Sequence, residues 1–580
     1  MTTPRMMQII STLSGGNRMV ILVEMCWSNI IRLITSSEGL WIGTPMETEP
    51  TLILFNGYVH TVDEHNSISE AVAVADNRII ATGSDTEIKP RATSNTTMID
   101  LEGRSLLPGF IDAHQHFAGI GAAQDAINCK APGMDSISAL VEEVRKRASS
   151  QPKGTWIRGR GYNDSKLAEN RHPNRMDWDS VAPDHPVWFT RTCGHISSFN
   201  SQAMQVANVP ENLADPDGGE YDRDSSGALL GVAYERATIP FRDVLEPSKS
   251  EIREHLITAN RLDLQSGLTS IHDAGGMTGL PLEQAQDLVS SGDLQVRVYS
   301  FVTVNASDHP LVPILNTGIR TGFGTDRLRM GAFKIMTDGS SSGPTAATRA
   351  PYAINADDSG IAYWAQDDLD DLLGRAHRAG WQCTVHAVGD RAIEQTLDAM
   401  QRAQQEYPRT ALRHRIDHCG ITPPDLQDRV VSQGIIPAMQ PAFFWEFGDG
   451  YIRNYGRERA DVMFPAGSLI KRGVPVAGSS DSPVTDYRPL FGIEQAITRA
   501  TETGDVCGPD ERVDLTTAIR MHTINGAHAS FEEDSKGSLE AGKLADMVVL
   551  SERIDRVPTE ELRDLPVDLT FVDGELVFQR

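Results

Sequence analysis

Side chains that bind transition metals recur along the chain at the ends of short apolar runs. His114 and His116 stand two residues apart in one run, and a β-strand would project both imidazoles to the same side. His386 and His418 each end a further run, and Asp481 follows a fourth. Imidazole and carboxylate groups suit Zn²⁺, Fe²⁺ or Mn²⁺. Each histidine alone could be an ordinary structural residue, but four at strand ends would converge on one small volume, and the pattern predicts a metal site.

Lys334 belongs to the same inward-facing set if the run Gly331–Met336 is a strand. A buried ammonium group beside metal cations is electrostatically unfavourable. Reaction of the amine with CO₂ would give a carbamate, an anion that can bridge two metals. The alternatives are a lysine that reaches solvent and one that pairs with Asp338, and the residues alone leave all three open.

A serine hydrolase is a competing interpretation of the loop after Lys334. The segment Gly339–Gly343 fits the G-x-S-x-G pattern and follows a predicted strand, with Ser341 as the nucleophile. In so glycine-rich and serine-rich a segment the pattern arises easily. This interpretation also leaves the histidines without a role.

Eight short β-branched runs alternate with amphipathic helical patterns, which predicts an α/β fold, the (β/α)₈ TIM barrel. One such helix, at 367–379, has an apolar face and is followed by Gly380 as a C-terminal cap. The active site of a TIM barrel lies at the C-terminal ends of its strands, where the candidate ligands stand. The predicted strands are Leu106–Ala113, Leu268–Asp273, Val296–Val302, Gly331–Met336, Gln382–His386, Arg413–His418, Gly434–Met439 and Val474–Ser479.

Two β-rich pieces bracket the barrel, at 51–106 and 537–580. Each carries a hairpin dipeptide suited to positive φ angles, Asn56–Gly57 in the first and Asp573–Gly574 in the second. Neither piece could bury a core alone. We therefore predict that the two chain ends pair into one small β-sandwich.

The rest of the chain divides into three parts. Residues 107–536 are assigned to the barrel domain. An insertion after the first barrel strand, at about 117–260, is too long for an ordinary loop and is expected to have its own structure. Residues 1–50 are predicted to be an N-terminal extension that is poorly ordered.

Composition excludes several classes of protein. The formal net charge of −26 argues against a nucleic-acid partner, which needs clustered basic residues. Six cysteines without CxxC spacing indicate neither a disulfide framework nor a zinc ribbon, which favours a reducing, cytoplasmic setting. The apolar stretch Met19–Ile34 is interrupted by polar residues, so no transmembrane segment is predicted. Mitochondrial targeting by the extension stays open.

The order and spacing of several motifs resemble those of the amidohydrolase superfamily over about residues 51–580. A second group, Lys334–Ala346 with Gly194-His195 and Asn200-Ser201, resembles its type-3 branch, which includes deformylases of N-substituted formamides. Members of that branch often show Gly-Ser-Leu-Gly after the aspartate, whereas this chain has Gly-Ser-Ser-Ser-Gly-Pro at 339–344. The superfamily motifs are PGFIDAHQH at 108–116, the strand-four lysine at 334, HAVGDR at 386–391, DHC at 417–419, GSSD at 478–481 and GKLADMVV at 542–549.

The resemblance implies a binuclear metal centre. His114 and His116 would hold the more buried metal, and His386 and His418 the second. Lys334, as a carboxylysine, would bridge them. The metals would be two zinc ions, with iron or manganese as alternatives.

The resemblance also implies the reaction. Asp481 would bind metal and shuttle a proton, and His195, from the insertion, would reach the substrate. The activity would be hydrolysis of a non-peptide, amide-type carbon–nitrogen bond in a small molecule. The alternatives are a mononuclear deaminase of the same superfamily, with Lys334 unmodified, and a non-catalytic scaffold. Whether the protein forms a homodimer stays open.

Overall fold

The computed structural model describes residues 7–12, 18–23 and 48–580, apart from 131, 243, 246, 276, 277, 307 and 308. Two described segments before residue 48, Met7–Thr12 and Arg18–Val23, pair as antiparallel strands within a unit of their own. That this extension is poorly ordered stays a prediction, and its remaining residues lie outside the described part of the chain. Among the described residues, no helix is both long and apolar enough to cross a membrane.

Eight parallel strands form the centre of the second unit. They follow one another in the sheet in chain order, and the backbone N–H of Asp481, just after the last strand, donates to the His114 carbonyl of the first over 2.8 Å. The predicted TIM barrel is thereby confirmed. Its strands are β1 (Phe110–Gln115), β2 (Leu268–Asp273), β3 (Arg297–Val304), β4 (Leu328–Met336), β5 (Cys383–Ala387), β6 (Arg415–His418), β7 (Ile436–Met439) and β8 (Ala477–Gly478).

The run predicted as the first barrel strand is two strands in the structure. Ser105–Pro108 pairs with Met547–Leu550 outside the barrel, whereas β1 pairs with β2. The chain changes partner at Gly109, where a Cβ atom would lie 2.3 Å from the Thr269 side chain. An apolar run indicates burial but not the partner strand, so the sequence pattern continues unbroken through this change.

Amphipathic helices surround the barrel. Gln366–Arg378 buries its predicted apolar face, and Gly380 follows it with a φ of 93°, as the sequence predicts. The other barrel helices are Lys249–Gln265, Leu280–Ser291, Asp390–Glu406, Pro424–Gln433, Phe443–Tyr455, Arg457–Asp461, Ala466–Lys471, Pro489–Thr498, Leu515–Met521 and Ile524–Ala529, with 3₁₀ turns at Val312–Asn316 and Pro509–Glu511.

The insertion between β1 and β2 has a six-stranded mixed sheet of its own. Its first helix, Phe117–Asp125, packs against the barrel helix Lys249–Gln265, so the sheet occupies the middle of the predicted 117–260. In sheet order the strands are Ile127–Asn128, Ile157–Tyr162, Val187–Arg191, Ile196–Phe199, Leu229–Glu235 and Gly219–Arg223. The helices are Ile137–Ser150, Arg175–Asp179, Ser201–Val206 and Ile239–Arg242, with 3₁₀ turns at Asp164–Lys166 and Arg236–Thr238.

The two chain ends pair with each other in a six-stranded sheet, and a four-stranded sheet shares a buried apolar cluster with it. That the two sheets make a separate sandwich domain stays a prediction. In sheet order the first comprises Glu575–Gln579, Val567–Val572, Met547–Leu550, Ser105–Pro108, Tyr58–His60 and Ile68–Ser69. The second comprises Arg78–Gly83, Ala71–Ala75, Leu52–Phe55 and Thr97–Asp100, and short helical turns lie at Asp85–Ile88, Lys89–Arg91, Ile554–Arg556 and Thr559–Asp564.

A buried ion-pair network joins the barrel to the terminal sheet. Arg297, the first residue of β3, donates from Nε to Asp546 over 2.7 Å and from Nη2 to Asp546 and Asp573 over 2.9 and 2.5 Å. The Arg297 and Asp546 side chains are only 3% and 4% exposed. Charges removed from water to this degree are tolerated only because they are paired.

Replacement of Asp546 by Asn tests this junction. The variant leaves a buried guanidinium short of a negative partner, and we expect a loss of about 3–5 kcal/mol in unfolding free energy. Chemical denaturation monitored by circular dichroism measures it. Arg580→Gln is the control, because the pair of Arg580 with Asp568 is largely solvated, with Arg580 58% exposed, and its loss should cost less than about 1 kcal/mol. Equal losses in the two variants would contradict this interpretation.

Candidate active site

A cavity of about 690 Å³ opens at the C-terminal ends of the barrel strands. All seven side chains that the sequence predicts as site residues line it. Six come from the barrel and one from the insertion. They are His114, His116, Lys334, His386, His418, Asp481 and His195.

Asp481 lies close to two histidines, His114 in β1 and His116 directly after it. Its Oδ1 atom lies 3.2 Å from His114 Nε2 and 3.1 Å from His116 Nε2, and the three ligand atoms fall within 4.8 Å of one another. Asp481 has a φ of 56°, in the left-handed region that few non-glycine residues adopt. Such strained backbone conformations persist only where the surrounding contacts hold them, and they cluster at functional sites.

The remaining barrel residues lie next to this group. The rings of His386 and His418 are 4.5 Å apart between centroids, and those of His418 and His114 are 5.0 Å apart. Lys334 Nζ lies 3.4 Å from His114 Nε2. The side chains of β1, β4, β5 and β6 therefore meet in one buried volume.

In three of these histidines one ring nitrogen lies close to a protein acceptor. His114 Nδ1 lies 2.8 Å from Asp417, His418 Nδ1 lies 2.8 Å from the Gln440 side-chain oxygen, and His386 Nε2 lies 3.1 Å from the Gly339 carbonyl. The other ring nitrogen of each could bind a cation, that of His114 together with the Asp481 carboxylate. Histidines that ligate metals are typically oriented in this way.

The pKa values of the site residues suit neutral imidazoles beside a charged carboxylate. Burial lowers the pKa of His116 and His418 to about 4, and that of His386 well below its usual value. Burial alone would raise the pKa of Asp481, but hydrogen bonds from His114 and His116 outweigh it and hold the pKa well below its usual range. Neutral imidazole and carboxylate are the forms that bind metal.

His114 differs from the other histidines. Burial and the Lys334 charge oppose its protonation, but the neighbouring carboxylates, Asp417 first, outweigh them and raise its pKa. A cation at this position would therefore displace a proton from His114. The donor set fits a divalent cation, because it combines several imidazole nitrogens with one anionic oxygen in a buried volume.

Asp417 is a site residue whose role the sequence did not reveal. It is fully buried and accepts hydrogen bonds from Arg415 Nη2 over 2.9 Å and Thr384 Oγ1 over 2.8 Å, while its other oxygen faces His114. Strand alternation would direct Asp417 and His418 to opposite faces, but His418 has a φ of 73°, and both reach the site. The signal in the sequence was a pair of charged residues, at 415 and 417, with strand spacing in an apolar run.

His195 enters the site from the insertion. Its ring lies 5.6 Å from that of His386 between centroids, and its Nδ1 is 2.7 Å from the Glu235 carboxylate. Burial favours the neutral ring, but Glu235 outweighs it and raises the pKa of His195 to about 9. Glu235 also accepts hydrogen bonds from Thr345 and Tyr363. No motif in the sequence signals this partner.

Comparison with known proteins assigns the chain to a family. A sequence profile of the amidohydrolase family matches residues 97–578. The chain belongs to the amidohydrolase family. The predicted resemblance to the type-3 branch is confirmed, because the chain is 30% identical over 545 residues to the N-substituted formamide deformylase of Arthrobacter pascens, covering 91% of this chain and 98% of the relative.

Two solved structures share the fold. A metal-dependent hydrolase of uncharacterised function from Pyrococcus furiosus is 25% identical, with a TM-score of 0.68 over 86% of this chain and 98% of its own. A second one, from Pyrococcus horikoshii, is 23% identical, with a TM-score of 0.71 over 88% of this chain and 99% of its own.

The surroundings of Ser341 in this amidohydrolase argue against a role for it as a nucleophile. The Ser341 hydroxyl is buried and lies 3.0 Å from the Tyr451 hydroxyl, and within the described part of the chain no histidine hydrogen-bonds to it. Burial raises the pKa of Tyr451 well above its usual value, so its hydroxyl stays protonated at neutral pH and cannot take the serine proton. A nucleophilic serine needs an adjacent base, and this one has none among the described residues.

Asp417→Asn tests whether Asp417 orients the His114 ring for metal binding in this amidohydrolase. Loss of the charge facing His114 Nδ1 should weaken metal affinity by about 10- to 100-fold, as for other groups that orient a metal-ligating histidine. Competition with a chromophoric chelator measures the affinity, and thermal melts report any accompanying loss of stability. Asp428→Asn, at an exposed pair with Arg472, is the matched control and should leave the affinity unchanged. An unaltered affinity in Asp417→Asn would exclude the role.

Proposed function

We propose that this amidohydrolase hydrolyses a non-peptide, amide-type carbon–nitrogen bond in a small molecule. The observation that carries the proposal is the meeting of His114, His116, His386 and His418 with Asp481 at the mouth of the barrel. The relative from Arthrobacter pascens is named for a deformylation of N-substituted formamides, which is a reaction at an amide bond. A cavity of about 690 Å³ matches the size of small-molecule sites.

We propose that the site holds two divalent cations, zinc in the first instance and iron or manganese as alternatives. His114, His116 and Asp481 would bind one, and His386 and His418 the other. When bound, the cations supply Lewis acidity, which polarises a carbonyl group and acidifies water.

Lys334 is proposed to carry a carbamate between the two metal positions. Burial, the largest influence, lowers the pKa of its ammonium group, although nearby carboxylates, Asp417 first, oppose the shift. A lower pKa increases the fraction of neutral amine, and only the neutral amine has the lone pair that attacks CO₂. Loss of one proton from the ammonium group gives the neutral amine, and N–C bond formation with CO₂ releases a second proton, so that an anion replaces a cation.

Two side chains would act on the reacting groups. Asp481 is kept as a carboxylate at neutral pH, so it can take a proton from the attacking water and return it to the leaving nitrogen. His195, kept protonated by Glu235, can donate a hydrogen bond to the substrate carbonyl oxygen, where negative charge develops. Glu235 is a positioning residue in this scheme.

Metal content and activity together test the proposal. The wild-type protein should contain two divalent ions per chain by elemental analysis and hydrolyse one or more members of a panel of formamides, N-acyl amino acids and small cyclic amides. Chelation should abolish that activity and added Zn²⁺ should restore it. Protein free of metal after purification, with no activity on zinc addition, would instead support the scaffold alternative.

Asp481→Asn isolates the proton-transfer role. The change is close to isosteric and removes the base, so kcat should fall by at least about 100-fold. Asp534→Asn, at an exposed aspartate, is the matched control and should retain full activity. Initial rates on the best substrate of the panel provide the measurement, and metal analysis of both variants separates a lost base from a lost metal. Near wild-type kcat in Asp481→Asn would exclude the role.

Lys334→Arg tests the carbamate. Wild-type protein equilibrated with ¹³C-bicarbonate should give a carbamate carbonyl signal in ¹³C NMR, and the variant should lose both this signal and one of the two metals, because a guanidinium group does not react with CO₂. Absence of the signal in a fully active wild-type protein with one metal would favour the mononuclear alternative.

A further inference from the structure

The insertion contributes two arginines to the wall of the cavity that holds the candidate metal site. Arg160 lies on the strand Ile157–Tyr162, and Arg242 is the last residue of the helix Ile239–Arg242. Neither has a role in the proposed hydrolysis. Arg160 is partly buried and Arg242 is exposed.

Within the described part of the chain, the Arg160 guanidinium group forms no ion pair with a carboxylate and donates no hydrogen bond. Arg191, on the neighbouring strand of the same sheet, shows the contrasting arrangement of a structural arginine. It is buried and donates to Asp164 over 2.6 Å and to Asn163 and Ser342 over 3.2 Å. The difference indicates that Arg160 is not there to hold the insertion together.

The surroundings of Arg160 disfavour the charged form of its guanidinium group. Burial lowers the pKa of Arg160 to about 10, with the Asp481 carboxylate opposing this shift and the Arg242 charge adding to it. The group is still a cation at neutral pH. Asp481 forms no ion pair with Arg160, and its Oδ1 atom lies 3.2 Å from His114 Nε2 and 3.1 Å from His116 Nε2. Two like charges on one partly enclosed wall favour the binding of an anion.

We propose that Arg160, with Arg242, binds a carboxylate group of the substrate, so that the preferred substrates are acidic amides of the N-acyl amino acid type. The inference rests on the proposed function, since it deepens the description of the same site. A guanidinium group presents two parallel N–H donors that match a carboxylate, and such charge-assisted pairs are stronger than neutral hydrogen bonds. Because both arginines belong to the insertion, the insertion would select the substrate while the barrel provides the chemistry.

Binding of inert ligand pairs tests the proposal independently of turnover. The probes are N-methylsulfonyl derivatives of leucine, phenylalanine and glutamine, each as the free acid and as the primary amide. A sulfonamide replaces the acyl amide, and mass spectrometry after each titration checks that the primary amide is intact. Isothermal titration calorimetry on the metal-loaded protein measures both members of each pair. The acid of at least one pair should bind about tenfold or more tightly than its amide.

Arg160→Gln should remove that preference. Affinity for the acid should fall by about 10- to 100-fold, to the level of the amide, while affinity for the amide stays within about twofold. Arg160→Lys keeps the charge but not the planar fork and should recover part of the loss. Arg158→Gln is the matched control, since Arg158 lies two residues earlier on the same strand, donates to the Leu245 carbonyl and does not line the cavity. It should leave both affinities unchanged.

Several results would overturn the proposal. They are equal binding of acid and amide in every pair, no binding of any acid, and a preference for the acid that survives in Arg160→Gln. Hydrolysis of neutral formamides with the same kcat/KM in wild type and Arg160→Gln, together with no preference for acids, would retain the proposed function and reject the carboxylate subsite. Conversely, an Arg160-dependent preference in a protein without hydrolytic activity would retain the subsite and reject the hydrolysis.

Discussion

The closure of the barrel between its first and last strands is the constraint on which the candidate site depends. The strand β8 is only two residues long, and the contact is made just beyond it, where the Asp481 N–H donates to the His114 carbonyl. Asp112 strengthens the same seam, because its carboxylate accepts from Ser480 Oγ over 2.5 Å, from Ser480 N over 3.1 Å and from His114 N over 3.0 Å. Asp112, which shares a face of β1 with His114, therefore links the first strand to the segment after the last one. These hydrogen bonds hold Asp481 beside His114 and His116.

Charge balance inside the barrel is the second requirement. Arg415 is fully buried, and its guanidinium contacts the His272 ring, the Ala113 carbonyl and the Asp417 carboxylate at 2.8, 2.7 and 2.9 Å. A buried cation of this kind is tolerated only with a fixed anion beside it. Asp417 serves that purpose and also faces His114, so the same carboxylate stabilises the barrel interior and orients a candidate ligand. Stability and function are therefore coupled at this residue.

The insertion supplies what the barrel does not. The barrel residues converge on the candidate metal site, whereas His195, Arg160 and Arg242 come from the insertion and line the same cavity. The insertion is attached near the site by buried polar contacts, among them those of Arg191 with Ser342 of the loop after β4. In general, binding residues on a segment separate from the rigid scaffold can change without disturbing the residues that the scaffold holds.

The sequence by itself determined the barrel and the residues at its mouth. Strand periodicity and helical periodicity are local properties, and His386, His418 and Asp481 could be assigned because each stands where a predicted strand ends. Parallel strands in a barrel bring their C-terminal ends together whatever their separation in sequence. Because of this rule, ligands assigned to separate strand ends could be predicted to lie together in one site.

Only the tertiary structure decided which side chains support that site. Glu235 and His195 are 40 residues apart, Gln440 and His418 are 22 apart, and neither separation corresponds to a repeat of any secondary structure. Strand alternation does not predict that Asp417 and His418 both reach the site, which they do because His418 has a left-handed backbone conformation. The change of partner strand at Gly109 is likewise invisible in the sequence, because the apolar run continues through it. The absence of a partner for Arg160 among the described residues is likewise a property of the folded surroundings. Local sequence encodes which face a residue occupies, whereas its hydrogen-bond partners and its electrostatic environment arise only when distant segments pack together.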